Sequence, residues 1–110
     1  MRICADKVVG FDIDDSLISE DPIHELTVLV PFQGTTVAVA VNQELVDTIK
    51  SAYQSGKYVI AWSQSGDEWV DAVIKSLNLE HHVHLCMSKM SECYDDLPIK
   101  EWLKVKKVKF

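Results

Sequence analysis

The chain has 110 residues, 47% of them hydrophobic and 25% charged, with only four glycines and three prolines. That mix suits one globular domain over 1–110 and excludes a disordered, collagen-like or low-complexity class. The net charge of −6 hides an asymmetry: residues 1–99 are strongly acidic, while the tail 100–110 carries Lys100, Lys104, Lys106, Lys107 and Lys109 against Glu101, so the body repels nucleic acid and only the tail could touch it. No apolar run approaches the ~20 residues needed to cross a bilayer, and residues 1–7 lack a signal-peptide core, so a cytoplasmic protein with no membrane partner is expected.

Val8, Val9, Gly10 and Phe11 form an apolar run that stops at Asp12, predicting a buried strand that delivers acidic side chains to its C-terminal end. Residues 26–30 and 35–41 are rich in β-branched side chains around Pro31, Phe32, Gln33 and Gly34, which predicts a hairpin over 26–41. Asn42 is placed to cap a helix carrying Leu45, Val46, Ile49, Ala52 and Tyr53 at helical spacing, and Gly56 ends it. Residues 58–62 read as a second apolar strand ending at Ser63. Residues 65–68 open a helix whose stripe is Trp69, Val70, Val73, Ile74 and Leu77. A third strand is expected over 83–86 and a weak fourth over 92–94, ending at Asp95 and Asp96. A short helix from Leu97 to about Leu103 and a lysine-blunted edge strand over 105–110 complete the pattern.

Strands alternating with helices define an α/β fold with a mainly parallel sheet. Such sheets bind ligands beyond the carboxyl ends of their strands. The residues expected there are Asp12, Asp14, Ser63, Lys89, Asp95 and Asp96. Clustered carboxylates need a compensating charge; Mg²⁺ supplies it with few protein ligands plus phosphate oxygens, and Lys89 adds to it. A serine hydroxyl can hold a phosphate oxygen, and an aspartate can act as nucleophile. Together these parts suit phosphoryl transfer.

The string Val8-Val9-Gly10-Phe11-Asp12-Ile13-Asp14-Asp15-Ser16-Leu17 resembles the first motif of the haloacid dehalogenase (HAD) superfamily, an apolar strand followed by D-x-D-x-[T/S]. Ser63, Lys89 and Asp95-Asp96 match the second, third and fourth motifs in order. The resemblance implies a Rossmann-like three-layer sandwich. It implies that Asp12 attacks phosphorus to form an aspartyl phosphate, while Asp14 first protonates the leaving group and then activates water. Ser63 and Lys89 would bind the phosphoryl group, and Mg²⁺ would lie among Asp12, Asp14 (through its carbonyl), Asp95 and Asp96. Asp15 stands where the family commonly has Gly, and Ser16 where it commonly has Thr. Neither insertion point leaves room for a large cap, so a capless protein is expected, with the hairpin as a flap. Its open site suits a phosphate on a large or extended substrate, or is covered by a second copy in a homo-oligomer.

Other readings stand beside this one. The same side chains could form a non-catalytic Mg²⁺-binding or regulatory module, and the lysine-rich tail could direct a phosphatase to nucleotides or nucleic-acid ends, with Trp102 the one tryptophan suited to stacking. A receiver-type phosphoacceptor domain uses similar residues in a different order. His81, His82, His84 and Cys86 suggest zinc, with His82, His84 and Cys86 on one strand face, but no fourth ligand is evident. Ordinary surface or half-buried side chains are the expectation for them. Cys4, Cys86 and Cys93 are expected as free thiols, and Trp62 and Trp69 as core residues.

Overall fold

The computed structural model describes residues 7–110; Cys4 and the rest of the first six lie outside them. Strands β1 (Val8–Asp12), β5 (Tyr58–Ser63) and β6 (Leu85–Ser88) form a parallel sheet in the order β1-β5-β6. A second, antiparallel sheet has the order β2-β4-β3, from β2 (Ile18–Ser19), β3 (Val28–Phe32) and β4 (Thr35–Val41). Two helices, α1 (Gln43–Gln54) and α2 (Asp67–Ser76), connect the parallel strands. The chain is thus a small α/β protein, and no helix among the described residues is long and apolar enough to cross a membrane.

The parallel register decides which side chains share a face. Val9 pairs with Val59, Phe11 with Ala61, and Ala61 in turn with Cys86. Phe11, Val59 and Ala61 lie in one core with Leu45, Val46, Ile49 and Ala52 of α1 and Trp69, Val70, Val73 and Ile74 of α2. Both helices therefore cover the same face. The opposite face carries Tyr58, Ile60, Trp62 and Met87, half-buried and outside that core. Among the described residues the two helices form one layer on the parallel sheet. The reason is topological: β1, β5 and β6 advance in one direction across the sheet, and right-handed crossovers then put every connecting helix on one side.

Between β1 and β2 the chain makes a tight turn. The Ile13 carbonyl accepts from the N–H groups of Leu17 (2.9 Å) and Ile18 (3.1 Å), and Asp15 N–H donates to Ile18 C=O (2.8 Å). Ile13, Leu17 and Ile18 are fully buried, so apolar burial anchors the loop that carries Asp12 and Asp14. Asp15 has φ 61°, a left-handed conformation that Gly adopts freely and that Asp tolerates better than most residues. The position therefore has a backbone reason to favour Gly or Asp, independent of charge.

The hairpin forms within 26–41, in register from Val28↔Val39 to Phe32↔Thr35. Gln33 (φ 49°) and Gly34 (φ 74°) are both left-handed, the two-residue turn whose twist matches the strands. Val30 and Val39 are buried in the core, while Leu29, Pro31 and Thr36 are exposed, so one face of the hairpin belongs to the core and the other faces solvent. Asn42 caps α1 by accepting from Leu45 N–H (3.2 Å), and its amide nitrogen donates to the Ser16 carbonyl (3.1 Å). One side chain thus ties the helix to the acidic turn.

Later elements depart from expectation. The third strand starts at Leu85 rather than Val83, because the His84 imidazole takes the Val59 N–H (Nδ1, 2.9 Å) where a ladder carbonyl would otherwise serve. The strand face that would align His82, His84 and Cys86 is not formed: His84 precedes the strand and spends Nδ1 on the backbone. Neither the fourth strand over 92–94 nor the edge strand over 105–110 is present, and the expected helix over 97–103 shrinks to a 3₁₀ turn at Ile99–Glu101. These stretches do not bury enough apolar surface to fix regular structure: Tyr94 is 94% exposed, and Leu97, Ile99, Trp102 and Val105 are exposed. The last residues are anchored by alternate side chains. Val108 packs against the core and the Phe110 ring lies 4.7 Å from that of His24, while Lys107 and Lys109 are exposed.

Candidate functional site

At the carboxyl ends of β1, β5 and β6 two polar groups form. On the outer side, Asp12 ends β1 beside Trp62, its register partner. Its Oδ2 accepts from Ser16 Oγ at 3.0 Å, and its Oδ1 lies 3.8 Å from Lys89 Nζ. Lys89 follows directly on β6, where its N–H donates to Ser63 C=O (2.9 Å), and its ammonium sits 5.8 Å from the centre of the Trp62 ring. Asp12 and Lys89 are each about one-third exposed. Their attraction is therefore partly screened and small in stability terms, at most about 1 kcal/mol, but it leaves Asp12 Oδ1 open to a ligand with a cation alongside.

On the inner side, Asp14 is fully engaged. Its Oδ2 accepts from Ser63 Oγ (2.6 Å) and Ser65 Oγ (3.2 Å), and its Oδ1 accepts from the Trp69 indole N–H (2.9 Å). Ser63 is 1% exposed and also accepts from Ser65 N–H (2.9 Å). Its hydroxyl is thus committed to Asp14 and the loop rather than presented to solvent, and Ser65, which is exposed, is the hydroxyl a ligand meets first. Gly66 offers no side-chain cap to α2; instead Ser88 Oγ, from β6, accepts the Asp67 N–H at 3.1 Å.

Asp95 and Asp96 lie outside these networks. Asp95 Oδ1 accepts from Leu97 N–H at 3.0 Å. That backbone bond, followed by a hydrogen bond with Asp96, holds the Asp95 carboxyl below its ordinary range. No three His, Cys, Asp or Glu side chains among the described residues are gathered as a metal ion would require, so Asp95 and Asp96 do not join Asp12 and Asp14 around one point. Without a fourth strand, nothing aims the segment after Lys89 at the end of β1. A Mg²⁺ centre on the expected acids does not fit this arrangement.

Beside Asp14 a cleft of about 220 Å³ opens between the hairpin and the start of α2, lined by Glu20, Phe32, Val37, Ser65 and Trp69. Phe32 and Trp69 meet edge to face, ring centres 5.2 Å apart.

Of the residues expected from the sequence, Asp12, Asp14, Ser63 and Lys89 lie together at the three strand ends. Ser16, Ser65 and Trp69 were not assigned site roles. Trp69 is buried as its helical spacing predicts, yet its indole N–H needs an acceptor inside the fold, and that requirement was the available signal. Comparison of the chain with protein-family models, with curated proteins and with solved structures finds no match.

Proposed function

We propose that this chain is a HAD-like phosphohydrolase that cleaves a phosphomonoester through an aspartyl phosphate on Asp12. The observation that carries the reading is the pairing of Asp12, about one-third exposed, with Lys89, whose Nζ lies 3.8 Å from Oδ1. Beside it, Asp14 and Ser63 are joined at 2.6 Å on the neighbouring strand end. The chemistry balances as follows. Asp12 Oδ1 bonds to phosphorus as the ester P–O bond breaks, and the departing alcohol oxygen takes the proton that Asp14 has first received from the monoanionic ester. Water then attacks phosphorus and gives its proton to Asp14; the P–Oδ1 bond breaks, releasing inorganic phosphate. Lys89 offsets charge on the transferring oxygens, and Ser16 fixes the Asp12 rotamer through Oδ2. Asp14 must exchange one of its three present donors for the leaving oxygen.

Turnover of 4-nitrophenyl phosphate, with and without Mg²⁺, tests the reading. Asp12→Asn is expected to lower kcat at least 100-fold, and acid-quenched wild-type protein to carry phosphate on the peptide containing Asp12. An Asp12→Asn protein as active as wild type refutes the assignment. A second reading, a module that binds through this site without turnover, is favoured by the closed hydrogen bonding of Asp14 and the separate position of Asp95 and Asp96. It predicts binding of a phosphate ester by calorimetry with no hydrolysis across a panel of such esters.

A further inference from the structure

The cleft beside Asp14 is attached to the proposed catalytic groups by two of its own walls. Ser65 and Trp69 line it, and the same Ser65 Oγ and Trp69 Nε1 hold Asp14. A group lying in this cleft is therefore one side chain away from the Asp14 carboxyl that passes a proton to a leaving oxygen. The far wall comes from the hairpin. Val30 faces Val37 across β3 and β4, and Phe32 follows on the same face as Val30. Val30 is buried in the core while Phe32 and Val37 are half-buried. The core face of the hairpin thus continues to the cleft, where Phe32 and Val37 pack against the core and stay partly exposed.

We infer that this cleft receives the leaving group of the phosphomonoester, and that this group is an aromatic alcohol bearing a cationic or hydrogen-bond-donating substituent. The inference rests on the phosphohydrolase reading above. Size and chemistry select the class. The cleft, about 220 Å³ and open to solvent, has room for a ring laid against its wall with a short substituent reaching the rim. Phe32, Val37 and Trp69 give it an apolar wall on which a ring packs edge to face. Glu20, the one charged residue in the lining, is exposed and sits at the rim, where it attracts a cation and repels a carboxylate or second phosphate. The acidic body of the chain acts in the same direction at longer range.

Two aryl phosphates of similar shape and opposite charge separate the possibilities: tyramine O-phosphate, with an ammonium, and 4-(carboxymethyl)phenyl phosphate, with a carboxylate. The ammonium ester is expected to have kcat/KM about three- to fivefold higher, the size of an exposed charge pair, and Glu20→Gln is expected to collapse that ratio toward one. Phe32→Ala is expected to reduce the preference for phenyl phosphate over ethyl phosphate by about tenfold. Free tyramine is followed in parallel by the indole N–H resonance of Trp69, which needs no turnover. Turnover that is blind to charge, with an unmoved Trp69 resonance, overturns the cleft assignment and leaves the phosphohydrolase reading standing. A Trp69 resonance that shifts with tyramine and not with 4-hydroxyphenylacetate, without hydrolysis of any ester, supports the cleft as a binding site and overturns the phosphohydrolase reading.

Discussion

Ser63→Ala removes one buried hydroxyl from the centre of the inner network. The wild-type hydroxyl, 1% exposed, donates to Asp14 at 2.6 Å and accepts from Ser65 N–H at 2.9 Å. A hydrogen bond to a charged group contributes about 1.5–3 kcal/mol. The lower end applies, because Asp14 keeps its Ser65 and Trp69 donors. The orphaned Ser65 N–H adds little, since Ser65 is exposed and water can replace the lost acceptor, and the void left by one oxygen is small. The expected cost is about 2 kcal/mol, which lowers the urea midpoint by roughly 1 M for a protein of this size. Urea titrations at pH 7, followed by far-UV circular dichroism, measure it. A cycle with Asp14→Ala isolates the pair, with an expected coupling of about 1–2 kcal/mol. A Ser63→Ala midpoint within about 0.3 M of wild type, together with additivity in the cycle, would refute the claim that Ser63 and Asp14 stabilise one another.

Three further outcomes follow from other contacts. His84→Phe keeps a ring against Tyr58, whose ring stacks on His84 with centres 4.6 Å apart, but deprives Val59 N–H of its acceptor. The expected cost is about 1–2 kcal/mol, with faster hydrogen exchange at Val59; unchanged exchange there argues against the imidazole as acceptor. The Asp95 carboxyl, held low by the Leu97 N–H, is lower in the folded than in the unfolded chain, so its contribution is present above the unfolded value and is lost as pH falls through the folded one. An NMR titration should place Asp95 below a model aspartate, and Asp95→Asn should flatten the acid limb of stability; a titration at or above the model value contradicts the hydrogen bond. Burial pushes the Cys86 thiol up, with Asp71 adding to the rise, whereas Cys93 is exposed. Iodoacetamide at pH 8 should alkylate Cys93 first by peptide mapping, and equal rates would count against the burial of Cys86.

The local elements were legible because each is written in contiguous residues. The run ending at Asp12 and the turn residues inside 26–41 each carry a short-range physical cause. So do Asn42 before its helix and the stripe from Trp69 to Ile74. Asp12, Asp14, Ser63 and Lys89 could be placed at strand ends because an apolar strand that stops at a polar residue stops at the edge of the core. The segment after Ser88 could not be read this way. Its apolar residues are too few and too irregular to specify a strand, so position alone suggested order that burial does not support.

The sequence by itself determined the α/β alternation, the parallel strands and the polar ends that meet at one edge, since periodicity and caps act over a few residues. Only the tertiary structure decided that both helices share one face, that Trp69 and Ser65 hold Asp14, that His84 replaces a ladder carbonyl, and that Asp95 and Asp96 stand apart. Those facts depend on which distant donors find which acceptors once the core has closed. A chain position records what a residue can donate or accept, and the packed fold selects the partner.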